Sequence, residues 1–288
     1  MAAVTTSARP TTSAQPAAPL RRGPGRWISD HLVLFVGILV LVYTFVPIGY
    51  IFALSFNQPT GRSATAQFES FTGSNWTSIC EPEGLCTSVK LSFEVSITAT
   101  ILSTLFGTLM AFALVRHSFR GRATSNLVIF LPMATPEVVM GSSLLAMFVA
   151  FGFDGVLGFV TIVIAHVMFC LSFVVVTVKA RLTGMDSRLE QAAMDLYATE
   201  WQTFRLITLP LAMPGIVAAA MLAFSLSFDD FIVTNFTSGQ SVTFPLYVYG
   251  SKLKEFPPQL FVVGTLMFLI SFVFVIAAEL WRRRRSTV

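Results

Sequence analysis

Long apolar runs separated by polar or charged segments set the pattern of this chain. The first, Leu32–Phe56, has 25 residues and no charge. A helix needs about 20 apolar residues to cross a ~30 Å hydrocarbon core. By that test the spans fall at about 32–56, 91–115, 125–151, 156–178, 215–236 and 259–280. An all-α membrane protein with six transmembrane helices is expected. The first run is too long for the apolar stretch of a secretory signal, and no small-residue cleavage pattern follows it. Between the runs, 57–90 is a long polar loop, 116–124 a short basic one and 152–155 a tight turn. Residues 179–214 form a long amphipathic loop and 237–258 a polar one.

Composition agrees. The 288 residues are 54% hydrophobic and 12% charged, with a mean hydropathy of +0.73. A soluble domain carries roughly 25% charged residues, so much of this surface must face a lipid bilayer. Charge then orients the helices. With the N-terminus inside, the inside segments hold fifteen Lys and Arg and the outside loops four. Both termini are therefore expected to be cytoplasmic. Residues 1–30 read as a disordered tail, 31–281 as the membrane domain with a loop at 181–214, and 282–288 as a basic tail. The net charge of +4 needs no nucleic-acid partner once membrane orientation explains it.

Little chemistry is on offer. No lysine follows a glycine, so there is no phosphate-binding loop. The three histidines and three cysteines form no ligand cluster, and no catalytic or metal site is expected. Cys80 and Cys86 share the first outside loop, where they are either joined as a disulfide or left as two free thiols. Cys170 lies within the fourth span and reads as a small packing residue. Asn75-Trp76-Thr77 matches a glycosylation sequon, a three-residue signal of little weight.

The segment MDSRLEQAAMDLYATEWQTFRLITLP is more specific. Ser187 with Glu190 reads as a capping box, followed by Leu189, Ala192, Ala193 and Leu196 on one helical face. Thr199 with Gln202 reads as a second, opening a short helix with Trp201, Phe204 and Leu206. Pro210 and Pro214 are expected to end that helix before the fifth span. The segment should form a helix–turn–helix offering apolar residues to a partner. The alternative is an amphipathic helix on the lipid surface.

This segment resembles the coupling motif of ABC-importer permeases, E-A-A-x-x-x-G, nine residues, then I-x-L-P. Ala192-Ala193 and Ile207-x-Leu209-Pro210 both match the motif, at the family spacing and without a gap. Gln191 stands where the family has Glu, and Tyr197 where it has Gly. Glu190 is the candidate for the displaced carboxylate. At Tyr197 the turn is either made differently, or the ring fills a hollow in the partner. The resemblance implies the type I ABC importer permease fold and a loop that docks into an ATP-hydrolysing subunit. It also implies a second permease, two such ATPase subunits, and an extracytoplasmic binding protein that delivers the substrate. ATP and magnesium would be used by the ATPase partners, with no cofactor bound by this chain.

Three stretches narrow the resemblance: PMATPEVVMGSSLLAMF, IAHVMFCLSFVVVTVKARL and LPLAMPGIVAAAMLAFSLSFDDFIVTNF. Together they resemble the C-type member of the spermidine/putrescine permeases, from about residue 30 to the C-terminus. The resemblance implies polyamine import by alternating access at a bacterial inner membrane.

The residues point the same way. Ionisable groups within spans cost about 2.5–3.5 kcal/mol each and usually face a cavity. Glu94, Glu137, Asp229 and Asp230 lie in or near spans, and no lysine or arginine lies well inside one. At 1.5 Å per residue, Glu137 falls ~18 Å up its span and the two aspartates ~22 Å up theirs. Glu137, Asp229 and Asp230 are the candidate substrate-path residues. Thr135-Pro136-Glu137 also resembles the N-cap, N1 and N2 of a restarted helix, in which Glu137 answers the positive helix end. Asp229 and Asp230 lie ~100° apart on a helix, so at most one points squarely into a path. Asp230 is expected to be the more sensitive, with Asp229 capping a break or pairing with Lys252 or Lys254. Glu94 reads as an interfacial residue and His166 as a hydrogen-bonder between helices. The rival readings are a permease for ferric iron, thiamine or sulfate, and a proton-coupled secondary transporter using Glu137 and Asp230.

Overall fold

The computed structural model describes residues 24–59, 67–252 and 256–286. The chain divides into two compact units, 1–50 and 51–288. Helix α1 (Pro24–Leu54) makes up the described part of the first unit. It begins ahead of the apolar run, so residues 24–30 of the expected tail are helical, while residues 1–23 lie outside the described residues. From Leu32 to Val46 its large apolar side chains are exposed on every side, the character of a helix that meets lipid or other helices all round.

The second unit contains α2 (Ser74–Thr77), α3 (Leu85–Arg116), α4 (Arg122–Ala134), α5 (Glu137–Ala150) and α6 (Phe159–Thr183). Then come α7 (Arg188–Asp195), α8 (Glu200–Thr203), a π-helical turn (Phe204–Thr208) and α9 (Leu209–Phe228). Helices α10 (Ile232–Thr237), α11 (Phe244–Ser251) and α12 (Gln259–Ser286) complete it. Among the described residues the only extended pairing is one bridge, Asn57 to Phe71. Four helices in these residues are long and apolar enough to cross a membrane: His31–Leu54, Leu85–Arg116, Phe159–Thr183 and the run Glu200–Phe228. The bent pair α4–α5 makes a fifth, and α12 brings a shorter apolar stretch, Gln259–Val273. Helix α12 runs on to Ser286, so Arg282–Arg285 continue a helix where a separate tail was expected.

The core is the packing of α3, α6 and α9. Most of the buried face of α3 is small residues at helical spacing, Ser88, Ser92, Ser96, Ala99, Ser103, Gly107 and Ala111, with Leu85, Val95 and Leu114 the larger exceptions. In lipid, where apolar burial alone drives nothing, such faces let backbones approach closely. At Gly107 the approach is tightest: a Cβ there would sit 2.6 Å from Cγ1 of Val174. The hydroxyls of Ser88, Ser96 and Ser103 bond back to their own helix, as Ser96 does to the Ser92 carbonyl at 2.6 Å. From α6, Ala165, Phe169, Cys170, Val174 and Val178 meet Ala212, Ala219 and Ala223 of α9 in one buried cluster.

Two expected spans are broken. The one at 125–151 divides at Thr135-Pro136 into α4 and α5, bent by 106°. Pro136 lacks an N–H and forces the residue before it out of helical conformation, and Thr135 is extended at φ −83°, ψ 132°. Thr135 does not cap α5: its hydroxyl bonds back to the Leu131 carbonyl at 2.7 Å. Pro136 is the N-cap, which makes Glu137 the first helical residue. The span at 215–236 breaks at Asp229–Phe231. Toward its N-terminus it is longer than expected, because Pro210 and Pro214 do not end the preceding helix. The ring of Pro210 would press on the carbonyl four residues back, at Leu206, but Leu206 lies in the wider π turn.

The polar loop after α1 is folded on two asparagines. The Asn57 side chain accepts from Glu69 N at 2.7 Å and donates to the Gln67 carbonyl at 3.0 Å. Asn75, 5% exposed, donates to the carbonyls of Asn57 and Ser55. Its amide nitrogen is thus committed to loop structure, and the sequon has a packing role. Cys80 and Cys86 are joined by a disulfide, Cα atoms 5.3 Å apart. Helix α11, in a segment expected to be loop, packs on α3 through apolar residues and a bond from Phe244 N to Ser92 Oγ.

Candidate functional site

The two breaks meet. Helix α5 packs on α10, with Phe236 lying so close over Gly141 that a Cβ would fall 2.6 Å from its ring. This brings Glu137, at the start of α5, and Asp230, before α10, to one small cavity of about 100 Å³. Thr135, Met140, Phe169 and Val233 complete most of its wall, and no lysine or arginine lines it. The volume takes an ammonium head and a methylene or two, since a water molecule occupies ~30 Å³ in the liquid.

The two carboxylates differ in character. Glu137 is exposed, and among the described residues its carboxylate has no hydrogen-bond or ion-pair partner. Asp230 is buried, its side chain 7% exposed. Its Oδ2 accepts from Thr234 N and Thr234 Oγ1, both at 2.7 Å, and lies 3.4 Å from His166 Nε2. The bond to Thr234 N satisfies one of the free N–H groups in the first turn of α10. His166, from α6, also meets Thr234 Oγ1 at 2.9 Å and, through Nδ1, Ser227 Oγ at 2.7 Å.

Asp229 is exposed and does not line the cavity. The structural bonds expected of Asp229 therefore belong to Asp230. No ion pair joins either aspartate to Lys252 among the described residues, and Lys254 lies outside them. Glu94 is half-exposed and pairs with Lys90 at 3.7 Å.

The amphipathic loop is built differently from its sequence signature. Ser187 makes no side-chain cap to α7. Asp186 Oδ1 accepts from Arg188 N instead, and Glu190 turns away to Arg116 Nη2 at 2.6 Å and Thr208 Oγ1 at 2.8 Å. The second box forms as written: Thr199 Oγ1 accepts from Gln202 N, and Gln202 Oε1 from Thr199 N. Between the helices Tyr197 is left-handed at φ +64°. Ala198 N bonds to the Ala193 carbonyl and Tyr197 N to that of Met194, the paired bonds of a Schellman cap. The turn that glycine normally makes is thus kept with a tyrosine, at a cost of ~1–2 kcal/mol.

Helix α7 packs on α8 and the π turn, burying Ala193 within the chain. Gln191 and Ala192 are exposed, as are Leu196 at 82% and Tyr197 at 96%. Ile207 and Leu209 are half-buried and Pro210 exposed. Phe204 turns inward against Phe112 of α3, leaving Trp201 and Leu206 outward. Arg181 donates to the Leu211 carbonyl from Nε and Nη2, its stem lying where only Gly215 leaves room.

The described residues form a helical membrane bundle with two interrupted spans, which bring Glu137 and Asp230 to one cavity, and with an apolar loop latched to one end. Residues 103–287 match the family described as binding-protein-dependent transport system inner membrane component. The chain belongs to this family, the membrane-spanning permease component of binding-protein-dependent ABC importers. It is 35% identical over 248 residues to the spermidine/putrescine transport system permease protein PotC of Escherichia coli K12, covering 86% of this chain and 92% of that one. It is 37% identical over 191 residues to the putrescine permease PotI of the same organism, covering 64% and 68%. A bacterial ABC transporter that imports the acidic polysaccharide alginate shares the fold, at a TM-score of 0.63 and 18% identity over 92% of this chain and 99% of that one. The chain is thus a multi-pass bacterial inner-membrane protein, and the secondary-transporter reading falls away.

Proposed function

We propose that this permease imports polyamines, with Glu137 and Asp230 receiving the ammonium groups as they cross. The single observation that carries this is the meeting of the two carboxylates at one cavity with no basic residue in its wall. Such a site attracts cations and repels sulfate or molybdate-like anions. The relatives named for spermidine and putrescine support the same substrate class. Six spans, both termini inside, follow from the apolar runs and the fifteen-to-four charge bias. A second permease completes the pathway, a binding protein delivers substrate outside, and two ATPase subunits drive alternating access through the 181–214 loop. Of the motif residues in that loop, Gln191, Ala192, Leu196, Tyr197 and Pro210 are exposed.

The test uses the assembled complex in proteoliposomes, with spermidine, putrescine, thiamine, ferric citrate and sulfate as solutes. Binding protein loaded with a polyamine should stimulate ATP hydrolysis and drive uptake. Stimulation by one of the other solutes, with none by polyamines, would overturn the proposal. Labelling of a cysteine at position 188 from outside would overturn the orientation.

A further inference from the structure

We infer that His166 is a positioning residue for the substrate carboxylate, holding Asp230 in the orientation that bonds one oxygen inside the protein and leaves the other to face the cavity. The inference rests on the proposed role of Asp230.

His166 is the eighth residue of α6 and 1% exposed. A polar ring buried in a span needs partners for both nitrogens, and it finds them on both sides of the α9–α10 break. Ser227 precedes the break, while Asp230 and Thr234 lie at and beyond it. One arrangement satisfies every group. The Thr234 hydroxyl donates to Asp230, His166 Nε2–H donates toward Thr234 and Asp230, and Nδ1 accepts the Ser227 hydroxyl.

The two oxygens of Asp230 are divided. Every contact of its carboxylate is to Oδ2. Oδ1 has no partner among the described residues, yet Asp230 lines the cavity, so Oδ1 is the atom presented there. A quarter-turn of the carboxylate would break the bonds to Thr234 and the approach of His166 together, and a half-turn only exchanges its two equivalent oxygens. The ring also lies against Phe169, centroids 5.3 Å apart, and Phe169 is another wall of the cavity. An aromatic face beside an ammonium adds cation–π attraction. His166 thus sets two of the surfaces a cation would meet without reaching the cavity itself.

A double-mutant cycle in the reconstituted complex, with spermidine-loaded binding protein, tests this against a purely structural role. His166→Phe should lower spermidine uptake about tenfold, one lost charge-assisted bond, with assembly and basal ATPase activity retained. His166→Gln, which keeps a donor, should recover part of the loss. The defining result is in the pair: His166→Phe added to Asp230→Asn should cost nothing further. Multiplied losses in the double variant, or parental uptake by His166→Phe, would overturn the role of His166 while leaving Asp230 in place. Parental uptake by Asp230→Asn alone would overturn the polyamine site, and this inference with it. If His166→Phe fails to assemble, the same cycle run with His166→Gln decides.

Discussion

Nη2 of Arg116 lies 2.6 Å from Oε1 of Glu190, joining the last residue of α3 to the first turn of α7. The same oxygen accepts from Thr208 at 2.8 Å, so one carboxylate ties three segments. Both side chains are largely buried, 27% and 17% exposed, so the pair is not a freely solvated surface bridge. The loop is thereby tied to α3, and α3 runs through the core.

Loosening this tie should uncouple rather than unfold. Glu190→Gln keeps an acceptor for Thr208 but loses the ion pair. Basal ATP hydrolysis of the complex should persist while spermidine moved per ATP falls several-fold, about 1 kcal/mol of lost bonding. Exchanging the charges, Arg116→Glu with Glu190→Arg, should restore part of the ratio. A single variant with parental stoichiometry would remove the coupling role.

Tyr197→Gly should raise the melting midpoint of the purified permease pair, because glycine takes the left-handed turn without the ~1–2 kcal/mol strain. Tyr197→Ala keeps the strain and should not. If the exposed ring docks into the ATPase, both variants should retain less ATPase subunit on co-purification. Unchanged retention would mean that Tyr197 sits in the turn without a partner.

Glu137→Gln and Asp230→Asn should separate in stability. The Glu137 carboxylate makes no bond among the described residues, so its amide should leave the melting midpoint alone while cutting uptake about tenfold. Asp230→Asn disturbs the bonds from Thr234 and His166, so it should lose both stability and uptake. Thermal unfolding measured beside transport distinguishes the two. Equal destabilisation would contradict the division of roles.

Gly107→Val should be the most disruptive of conservative changes in α3, since its added atoms meet Val174. Overpacking of this kind typically costs about 1–3 kcal/mol. Yield and melting midpoint should fall, and Val174→Ala in the same chain should recover part of both.

The apolar runs made the helices legible because lipid demands them, residue by residue. The acids Glu137 and Asp230 were legible for a related reason: nothing keeps a charge inside a span cheaply. Asp230 was expected to be the more sensitive aspartate, but that it would also make the structural bonds was not legible, because the chain breaks between the two aspartates and α10, and a break redirects side chains in ways that helical spacing does not describe. Ser187 and Glu190 had the spacing of a capping box, yet Glu190 had a stronger partner in Arg116, 74 residues away. No local pattern reports such a competitor. Thr199 and Gln202 had none, and their box formed. His166 carried a usable signal, a ring in mid-span that must find partners, but the partners themselves came from the fold.

The bend between α4 and α5 bears on how the protein is made. The halves have 13 and 14 residues, ~20 Å each at 1.5 Å per residue, too short to cross a ~30 Å core separately. Bent by 106°, they do not cross as one rod either. At the break the last carbonyls of α4 and the first N–H groups of α5 have no further helical turn to pair with, which hydrocarbon does not tolerate without protein or water beside them. What shelters the pair is α6 against α4 and α10 against α5, both later in the chain. This segment therefore reaches its final place only after the downstream helices have been inserted. The cavity and its two carboxylates are a late product of biogenesis, absent from any intermediate that stalls before α10.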